Sequence, residues 1–180
     1  MTLYNIAIMN CLLKLLAIVC LVELAYGWKS DLMKPFTAKC AKGGVISRIA
    51  SAHSSHIQDR VYSFQCKKSS KNPRICGWRG YLNKFDGWII YVCPNGGVAS
   101  GLHSYFSHRY KDRRWKVYCC RSWIRKPVDC KWSKWLNGVT EEYYDYHVPP
   151  HHAIHGIECG SFWFADFKAG EKSRFENVWF

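Results

Sequence analysis

The chain has 180 residues, of which 26 are lysine or arginine and 13 are aspartate or glutamate, so its net charge is +13 at pH 7. A field this positive excludes cationic partners and favours polyanions such as nucleic acids, sulfated glycans or anionic cell surfaces. The length excludes a string of several large domains and fits one ordinary domain or a compact array of repeats.

The chain begins with an apolar run that is typical of a secretory signal. The run ends at Ala25 and Gly27, small residues at the spacing that signal peptidase accepts. Two charged residues interrupt it, and it falls short of the roughly 20 apolar residues that a membrane-spanning helix needs. We therefore predict a signal peptide over residues 1–27 and a secreted chain, without a membrane-spanning segment, over residues 28–180.

Eight cysteines follow the predicted signal peptide: Cys40, Cys66, Cys76, Cys93, Cys119, Cys120, Cys130 and Cys159. An even number in an oxidising compartment is typical of a disulfide framework rather than of metal ligands or nucleophiles. The compartment also changes the expected partner, because the abundant polyanions outside the cell are sulfated glycosaminoglycans and anionic cell surfaces. We expect no nucleic-acid ligand.

Residues 40–66 and 93–119 are two copies of one repeat. A shift of 53 positions aligns them without a gap and gives ten identities in 27 positions, and both copies begin and end with cysteine. A third, diverged copy has Val148 in place of the opening cysteine and Trp179 in place of the closing one. The predicted units cover approximately residues 28–77, 78–131 and 132–180.

The joint loss of both cysteines from the third copy predicts how the others pair. A bonded pair can disappear together, whereas a lone survivor would be a reactive thiol in an oxidising medium. Closing each loop contributes about 3 kcal/mol on the chain-entropy model. The bonds predicted in this way are Cys40–Cys66 and Cys93–Cys119. Three connectivities are open to the remaining cysteines, and we choose Cys76–Cys120 and Cys130–Cys159.

Alternation of apolar and polar residues before the closing cysteines predicts β-strands. Tyr62 and Phe64 in the first copy, and Trp115 and Val117 in the second, alternate with mostly polar neighbours. The segment 94–97, PNGG, is a strong turn signal, and no segment shows sustained helical periodicity. We predict an all-β body of about three repeated units of short antiparallel strands, stapled by disulfides. A pseudo-threefold closure, like that of a prism or trefoil, is one arrangement open to it.

The repeat ends carry a family resemblance. Residues 112–119, DRRWKVYC, resemble the D-R-x-W-x-F-x-C hallmark of the dermatopontin family, and residues 59–66, DRVYSFQC, are an altered second copy. The resemblance covers nearly all of residues 28–180. It implies secreted matrix proteins that bind proteoglycans, matrix proteins and cells, with agglutinating activity in some invertebrate members, and it does not imply an enzyme. The chain departs from the family in its diverged third copy, and in being basic where an acidic, tyrosine-rich N-terminal extension is expected.

The alternation within this motif separates inward from outward side chains. Arg60 and Arg113 share a face with apolar neighbours, so we interpret them as inner braces stacked on aromatic rings rather than as ligand contacts. Arg114 and Lys116 point outward. The motif residues interpreted as structural are Asp59, Arg60, Tyr62, Asp112, Arg113 and Trp115.

Basic residues on the outward positions and after the unit ends form a candidate ligand-binding patch. Arginine forks and lysine ammonium groups suit sulfate, which favours a glycan-binding patch. The alternative is a generally solvated basic surface. The candidate residues are Lys67, Lys68, Lys71, Arg74, Arg109, Lys111, Arg114, Lys116, Arg121, Arg125 and Lys126.

Two further clusters have a plain structural interpretation beside a functional one. The histidine cluster consists of His147, His151, His152 and His155. His151 and His155 have a spacing that suits zinc on a helix, but Pro149 and Pro150 oppose a helix that starts earlier, and only Glu158 and Cys159 lie at ligand spacing nearby. We therefore interpret the cluster as a histidine-rich surface turn rather than a zinc site. The acidic tyrosine-rich stretch is either an exposed aromatic strand or a set of sulfation sites, Tyr143, Tyr144 and Tyr146. No cofactor, metal or catalytic residue is predicted.

The sequence therefore predicts a non-catalytic, secreted matrix or adhesion protein. Its partners would be sulfated glycosaminoglycans, proteoglycans, matrix proteins or cell surfaces, and self-association would add bridging between them. The alternative is a lectin-like haemagglutinin or aggregation factor in innate defence. A hydrolase has little support, because the sequence contains no nucleophile elbow and no metal motif.

Overall fold

The computed structural model describes residues 29–122, 128–136, 143–164 and 167–179. The predicted signal peptide lies outside these residues, as do Arg125 and Lys126 of the candidate patch. Among the described residues, no helix has the length and apolarity to cross a membrane.

The described residues form an all-β structure, which confirms the predicted fold class. The strands are β1 (Phe36–Lys39), β2 (Gly44–Ser54), β3 (Asp59–Lys68), β4 (Ile75–Trp78), β5 (Ile89–Val92), β6 (Val98–Ser107), β7 (Asp112–Arg121), β8 (Val128–Trp132), β9 (Tyr143–His147), β10 (His152–Phe164) and β11 (Phe167–Trp179). Within the described residues, a 3-10 turn at Pro94–Gly96 occupies the predicted PNGG turn, and Asn95 in this turn has a left-handed φ of 56°.

The strands of the described residues form three antiparallel sheets, ordered β1-β6-β7-β4, β5-β10-β11-β8 and β3-β2-β9. Each sheet is built on a long hairpin, β2–β3, β6–β7 or β10–β11. The short strand before each hairpin pairs with a different hairpin: β1 with β6, β5 with β10, and β9 with β2. The sheets are therefore interlocked by strand exchange.

A β-bulge recurs at one place in the three hairpins and fixes this exchange. Register shifts occur at Ser47, Ser100 and His155, the residues that follow Ile46, Ala99 and Ile154. A bulge leaves one residue outside the ladder, so its carbonyl is open to another donor. The backbone N–H of Cys40 donates to the carbonyl of Ser100, that of Cys93 to His155, and that of Val148 to Ser47.

The part of the chain that the structure describes contains disulfides at three predicted positions, Cys40–Cys66, Cys93–Cys119 and Cys76–Cys120. The first two close loops of equal sequence separation, 26 residues. The third joins residues directly opposite each other on β4 and β7. These two equal loops correspond to the two copies of the sequence repeat.

The predicted Cys130–Cys159 bond is wrong for this structure. Cys130 is opposite Val178 on one side of β11, and Cys159 is opposite Ser173 on the other side. Strands with one strand between them lie about 10 Å apart, beyond the Cα separation that a disulfide spans. The long β10–β11 hairpin thus keeps these two cysteines apart.

The apolar faces of all three sheets meet in one core. Ile49 of β2, Leu102 of β6 and Ile157 of β10 come from the three hairpins, are buried, and line a central apolar cavity of about 40 Å³. Aromatic rings from the first two hairpins also pack there, with the Tyr62 and Trp115 centroids 5.0 Å apart and perpendicular. Burying each such aliphatic side chain contributes roughly 1.5–3 kcal/mol, which makes this core the main stabilising feature.

Candidate functional site

The motif arginine of the second copy lies inside the protein. The Nε and Nη2 groups of Arg113 donate to the two carboxylate oxygens of Asp59 at 2.7 and 2.8 Å. The two side chains are only 3% and 2% exposed. The guanidinium also lies over the rings of Phe36 and Phe106, at 5.6 and 5.4 Å. This arrangement has the geometry of an inner brace, and Arg113 is not positioned to touch a ligand.

Arg60 of the first copy has a similar buried place. Its Nε donates to the hydroxyl of Ser51 at 2.8 Å, and its guanidinium lies 5.3 Å from the ring centre of Tyr144. Tyr144 is itself buried, so in the folded protein it is neither an exposed strand residue nor accessible for sulfation. Of the other candidate tyrosines, Tyr146 packs on Phe175 at 5.3 Å, whereas Tyr143 is exposed.

The outward residues of the β1-β6-β7-β4 sheet form a surface that we call the outer face. On β7 the alternate residues Arg114, Lys116 and Tyr118 point away from the buried Val117 and Cys119, because successive side chains of a strand face opposite sides. The residues from neighbouring strands that share this side, or follow β4, are Lys39, Trp78, Tyr81, His103 and Tyr105.

Cations on the outer face lie directly over aromatic rings. Lys39 Nζ is 4.2 Å from the ring centre of Tyr118, and Lys116 Nζ is 4.4 Å from that of Tyr81. The guanidinium of Arg114 is also 4.2 Å from Tyr81. A cation over a ring face is held by the quadrupole of the ring, and Trp78 and Tyr81 on this face remain 38% and 37% exposed. The outer face therefore offers positive charge and apolar ring surface side by side.

Glycine at position 101 allows this geometry. A Cβ at Gly101 would lie 2.8 Å from the carbonyl oxygen of Ala38 and 3.2 Å from the Cβ of Tyr118. Gly101 is opposite Lys39 on β1 and Tyr118 on β7. Only a residue without a side chain lets β1 approach closely enough for Lys39 to reach across the sheet to Tyr118.

His103 lies in the middle of the outer face and is held by Thr37. Its Nδ1 is 2.8 Å from the Thr37 hydroxyl, and its ring is near those of Trp78 and Tyr81. Burial lowers the pKa of His103 below its ordinary value, and the neighbouring Lys116 lowers it further. At neutral pH the positive charge of the outer face therefore comes from lysine and arginine.

The other predicted basic residues of this region lie at the ends of β3 and β7 and just before β4. The backbone N–H of Arg74 donates to the carbonyl of Arg121 at 3.1 Å, which places the start of β4 beside the end of β7. Lys71 precedes this point, while Lys67 and Lys68 end β3. Burial lowers the pKa of Lys67, whose Nζ donates to the carbonyl of Pro149. The predicted patch is thus divided between the outer face, the start of β4 beside the end of β7, and the end of β3 in a different sheet.

The remaining patch residues lie at the hairpin turn between β6 and β7. Arg109 and Lys111 are exposed there, and the guanidinium of Arg109 lies 5.6 Å from the ring centre of Tyr110. They stand at the opposite end of β7 from Arg121. Cations therefore occur at both ends of this strand as well as along its outward side.

The histidine cluster is divided between a strand end, a turn and a strand interior. His151 is in a turn with a left-handed φ of 61°, and His147 lies 3.3 Å from Asp145. His155 is a bulge residue whose Nδ1 contacts the carbonyl of Gly97. The described residues contain no group of three or more side chains suited to hold a metal ion.

Asp145 is engaged by an arginine rather than offered to a metal. Arg48 binds it with two hydrogen bonds of 2.7 Å across the β2–β9 pair. These bonds lower the pKa of Asp145 below its ordinary value. This ion pair lies on the outward side of the β3-β2-β9 sheet, and its two charges neutralise each other. The outer face, by contrast, carries a net positive charge.

The aromatic half of the outer face was missed by sequence reasoning. Lys39, Trp78, Tyr81 and Tyr118 lie on separate segments, and no local pattern shows that they meet. The available signal was the alternation on β7, which places Tyr118 on the same side as Lys116. Trp78 and Tyr81 are 38% and 37% exposed and lie on either side of His103, so they form a contiguous exposed patch of the kind that marks interaction sites.

Comparisons with known proteins found one matching family and several similar chains. The family model for dermatopontin matches residues 30–162. The chain is 31% identical over 133 residues to the hemagglutinin/amebocyte aggregation factor of Limulus polyphemus, an overlap of 72% of this chain and 76% of that protein. It is 32% identical over 104 residues to dermatopontin of Biomphalaria glabrata, 58% of this chain and 70% of that protein.

A vertebrate relative matches over a smaller share of its length. Human dermatopontin is 30% identical over 121 residues, which cover 65% of this chain and 56% of the human protein. No solved structure shows significant similarity to the chain.

Proposed function

Because the chain belongs to the dermatopontin family, we propose that it is a secreted, non-catalytic protein of the extracellular matrix or cell surface. It binds sulfated glycosaminoglycans or the proteoglycans that carry them. The outer face is the binding surface. Its partners in the matrix, including matrix proteins and cells, are reached through these glycans.

The observation that carries this proposal is the placement of cations over exposed rings on the outer face. Lys39, Arg114 and Lys116 present positive charge within 4.2–4.4 Å of the ring centres of Tyr118 and Tyr81. A sulfated sugar has anionic groups around a ring whose C–H faces are apolar. Charge-assisted hydrogen bonds to sulfate and packing of the sugar on an aromatic ring would therefore act together.

The remainder of the molecule favours such a partner by long-range attraction. The net charge of +13 draws a polyanion toward the protein and raises the association rate at low salt. A rigid sheet with the Cys76–Cys120 crosslink keeps the charged groups in place before the ligand arrives. Preorganisation of this kind reduces the conformational entropy lost on binding.

Binding to immobilised heparin tests the proposal. The double variant Arg114→Gln/Lys116→Gln removes two charges from the outer face, and the control Lys29→Gln/Lys134→Gln removes two exposed charges outside that sheet. We expect the first variant to elute at clearly lower salt than the control. Equal shifts for both would contradict a defined surface and support a generally basic one.

The uncharged change Tyr81→Ala separates the aromatic contribution from the charge. It preserves the net charge while removing the ring that contacts both Arg114 and Lys116. We expect weaker retention than for the wild type. Retention equal to wild type would show that the ring takes no part in binding.

The second candidate function is that of a lectin-like agglutinin. The Limulus relative is named a hemagglutinin/amebocyte aggregation factor, and exposed rings at Tyr105 and Tyr110, each 44% exposed, add surface on which neutral sugars can stack. Haemagglutination that a simple sugar inhibits and that salt does not weaken would favour this candidate over glycosaminoglycan binding.

The recurring strand exchange and bulges support a proposal about architecture. The three hairpins would be related by approximate threefold symmetry, as in a prism. Several weak sites on one molecule, or self-association of molecules, would then bridge partners and add avidity. Sedimentation of the protein with and without defined heparin fragments would reveal such bridging.

A further inference from the structure

His103 occupies the centre of the outer face. It lies opposite Thr37 on β1 and opposite Lys116 on β7, so the three side chains share one side of the sheet. Its aromatic neighbours are Trp78 and Tyr81, whose ring centroids are each 6.4 Å from that of the imidazole. A ligand on this surface therefore meets the imidazole between a hydroxyl, an ammonium group and two aromatic rings.

One nitrogen of this imidazole is held by the protein and the other is open. Nδ1 is 2.8 Å from the hydroxyl of Thr37. Nε2 makes no hydrogen bond with the described residues, and it is not one of the fully buried polar atoms that lack a partner. Since His103 is only half-buried, solvent and ligands reach Nε2.

The partner of Nδ1 suits both protonation states of the ring. The Thr37 hydroxyl has a hydrogen to donate and lone pairs that accept, so it bonds to Nδ1 whether or not that nitrogen carries a proton. Protonated His103 thus keeps its position and presents an N–H at Nε2. A positively charged N–H donor forms a short, strong hydrogen bond with a sulfate or carboxylate oxygen.

The charged neighbours of His103 on the outer face are all cations. Arg114 and Lys116 come from β7 and Lys39 from β1, and none of the side chains described on this face is a carboxylate. The other titratable side chains of the face are Tyr81, Tyr105 and Tyr118. Burial lowers the pKa of His103, Lys116 lowers it further, and a backbone hydrogen bond with Phe36 offsets part of this change. The ring is therefore uncharged at neutral pH until an anion approaches it.

We propose that His103 binds an anionic group of the glycan together with Lys116 and takes up a proton from solvent as it does so. This role rests on the proposed function. The Cβ atoms of directly opposite residues on antiparallel strands are about 4.5–5.5 Å apart, so one sulfate or carboxylate group can contact both side chains. The added proton leaves an N–H on each ring nitrogen, and the N–H at Nε2 donates to an oxygen of the anion. Because proton and glycan favour each other's binding, the outer face holds glycans more tightly as the pH falls.

Isothermal titration calorimetry with a heparin hexasaccharide tests this role. Sulfate and carboxylate groups of the glycan keep their charge between about pH 5.5 and pH 7.5, because carboxyl groups titrate at about pH 4 or below. Protons exchanged on binding in this range therefore belong to the protein. Their number follows from the dependence of the measured enthalpy on the ionisation enthalpy of the buffer. His103→Gln removes the imidazole, and His56→Gln, in the exposed turn between β2 and β3, is the matched control.

We expect the wild type and His56→Gln to take up more protons on binding than His103→Gln, by up to about one per complex. From about pH 7.5 to about pH 5.5 their affinity should also rise at least about fivefold more than that of His103→Gln. The gain begins as the pH falls through the pKa of His103 in the complex and is complete below its pKa in the free protein.

If His103→Gln fails to fold, an NMR titration of the histidine rings of the wild type replaces it. The imidazole in contact with Trp78 and Tyr81 should then titrate at higher pH with the hexasaccharide than without it.

The results separate the two proposals. If the wild type does not bind the hexasaccharide, the proposed function is wrong. If the wild type binds but takes up no more protons than His103→Gln, or if the hexasaccharide leaves the titration of this imidazole unchanged, the role of His103 is wrong while the function stands. Fully desulfated heparin identifies the anion: proton uptake that persists with it assigns a carboxylate to His103, and uptake that is lost with it assigns a sulfate.

Discussion

The buried ion pair between Arg113 and Asp59 gives the sharpest prediction about stability. Arg113→Met removes the guanidinium that donates two hydrogen bonds to Asp59 and leaves a carboxylate whose side chain is 2% exposed. Breaking a buried pair by removing one partner costs about 3–5 kcal/mol, because the other charge remains buried. Arg113 also donates to the hydroxyl of Ser104, so further hydrogen bonds are lost.

Thermal unfolding under non-reducing conditions measures this cost. For a chain of this size each kcal/mol lowers Tm by roughly 2–4 °C, so the Tm of Arg113→Met should fall by about 10 °C. Arg114→Met is the matched control, since it changes the adjacent residue on the outer face, where we expect a loss below about 1 kcal/mol. In a double-mutant cycle, Asp59→Asn and Arg113→Met should be strongly coupled.

Heparin retention should rank the same two variants in the opposite order, with the larger loss for Arg114→Met. Arg114→Met should elute at lower salt than Arg113→Met, although each loses one charge. A loss below about 1 kcal/mol for Arg113→Met would refute the inner brace. A folded Arg113→Met that loses as much heparin retention as Arg114→Met would show instead that Arg113 serves the ligand.

Three further predictions follow from other contacts. The hydrogen bonds from Arg48 lower the pKa of Asp145, so this ion pair stabilises the fold at pH values above the ordinary aspartate pKa. The stabilisation is lost as the pH falls through the lowered pKa of Asp145. The acid-induced fall in Tm should therefore be smaller in Asp145→Asn than in the wild type. Replacing Cys40 and Cys66 together by alanine opens a loop of 26 residues and should reduce the free energy of unfolding by about 3 kcal/mol in denaturant titrations, and an unchanged value would count against the bond. Ile90 is 70% exposed on the edge strand β5, so Ile90→Lys should leave Tm nearly unchanged and reduce self-association in sedimentation experiments, since a charge on a strand edge opposes edge-to-edge pairing.

Features encoded within a repeat could be predicted from the sequence. The gapless alignment of two cysteine-bounded segments led to the Cys40–Cys66 and Cys93–Cys119 bonds. Alternation along one strand was enough to place Arg113 inside and Lys116 outside. Both inferences depend on periodicity or on identity between copies, which a single sequence displays directly.

Features that depend on pairing between distant segments could not be predicted. Tyr144 is buried because β9 pairs with β2, which begins about a hundred residues earlier. Cys130 and Cys159 are separated because β11 is inserted between β8 and β10. The aromatic part of the outer face joins β1, β4 and β7 with Tyr81 in the same way. Loop closure over such lengths costs little extra entropy, so many pairings compete and the local sequence does not choose among them.

The pairing of β1, β5 and β9 with hairpins other than the ones they precede limits how the number of units can change in evolution. Each hairpin takes an edge strand from chain that precedes another hairpin. Deleting one unit would therefore remove a strand from a neighbour, and duplicating one would leave a strand with no hairpin to receive it. The number of units is thus constrained while side chains can vary, so Val148 and Trp179 can stand where the other two hairpins have a bonded pair of cysteines.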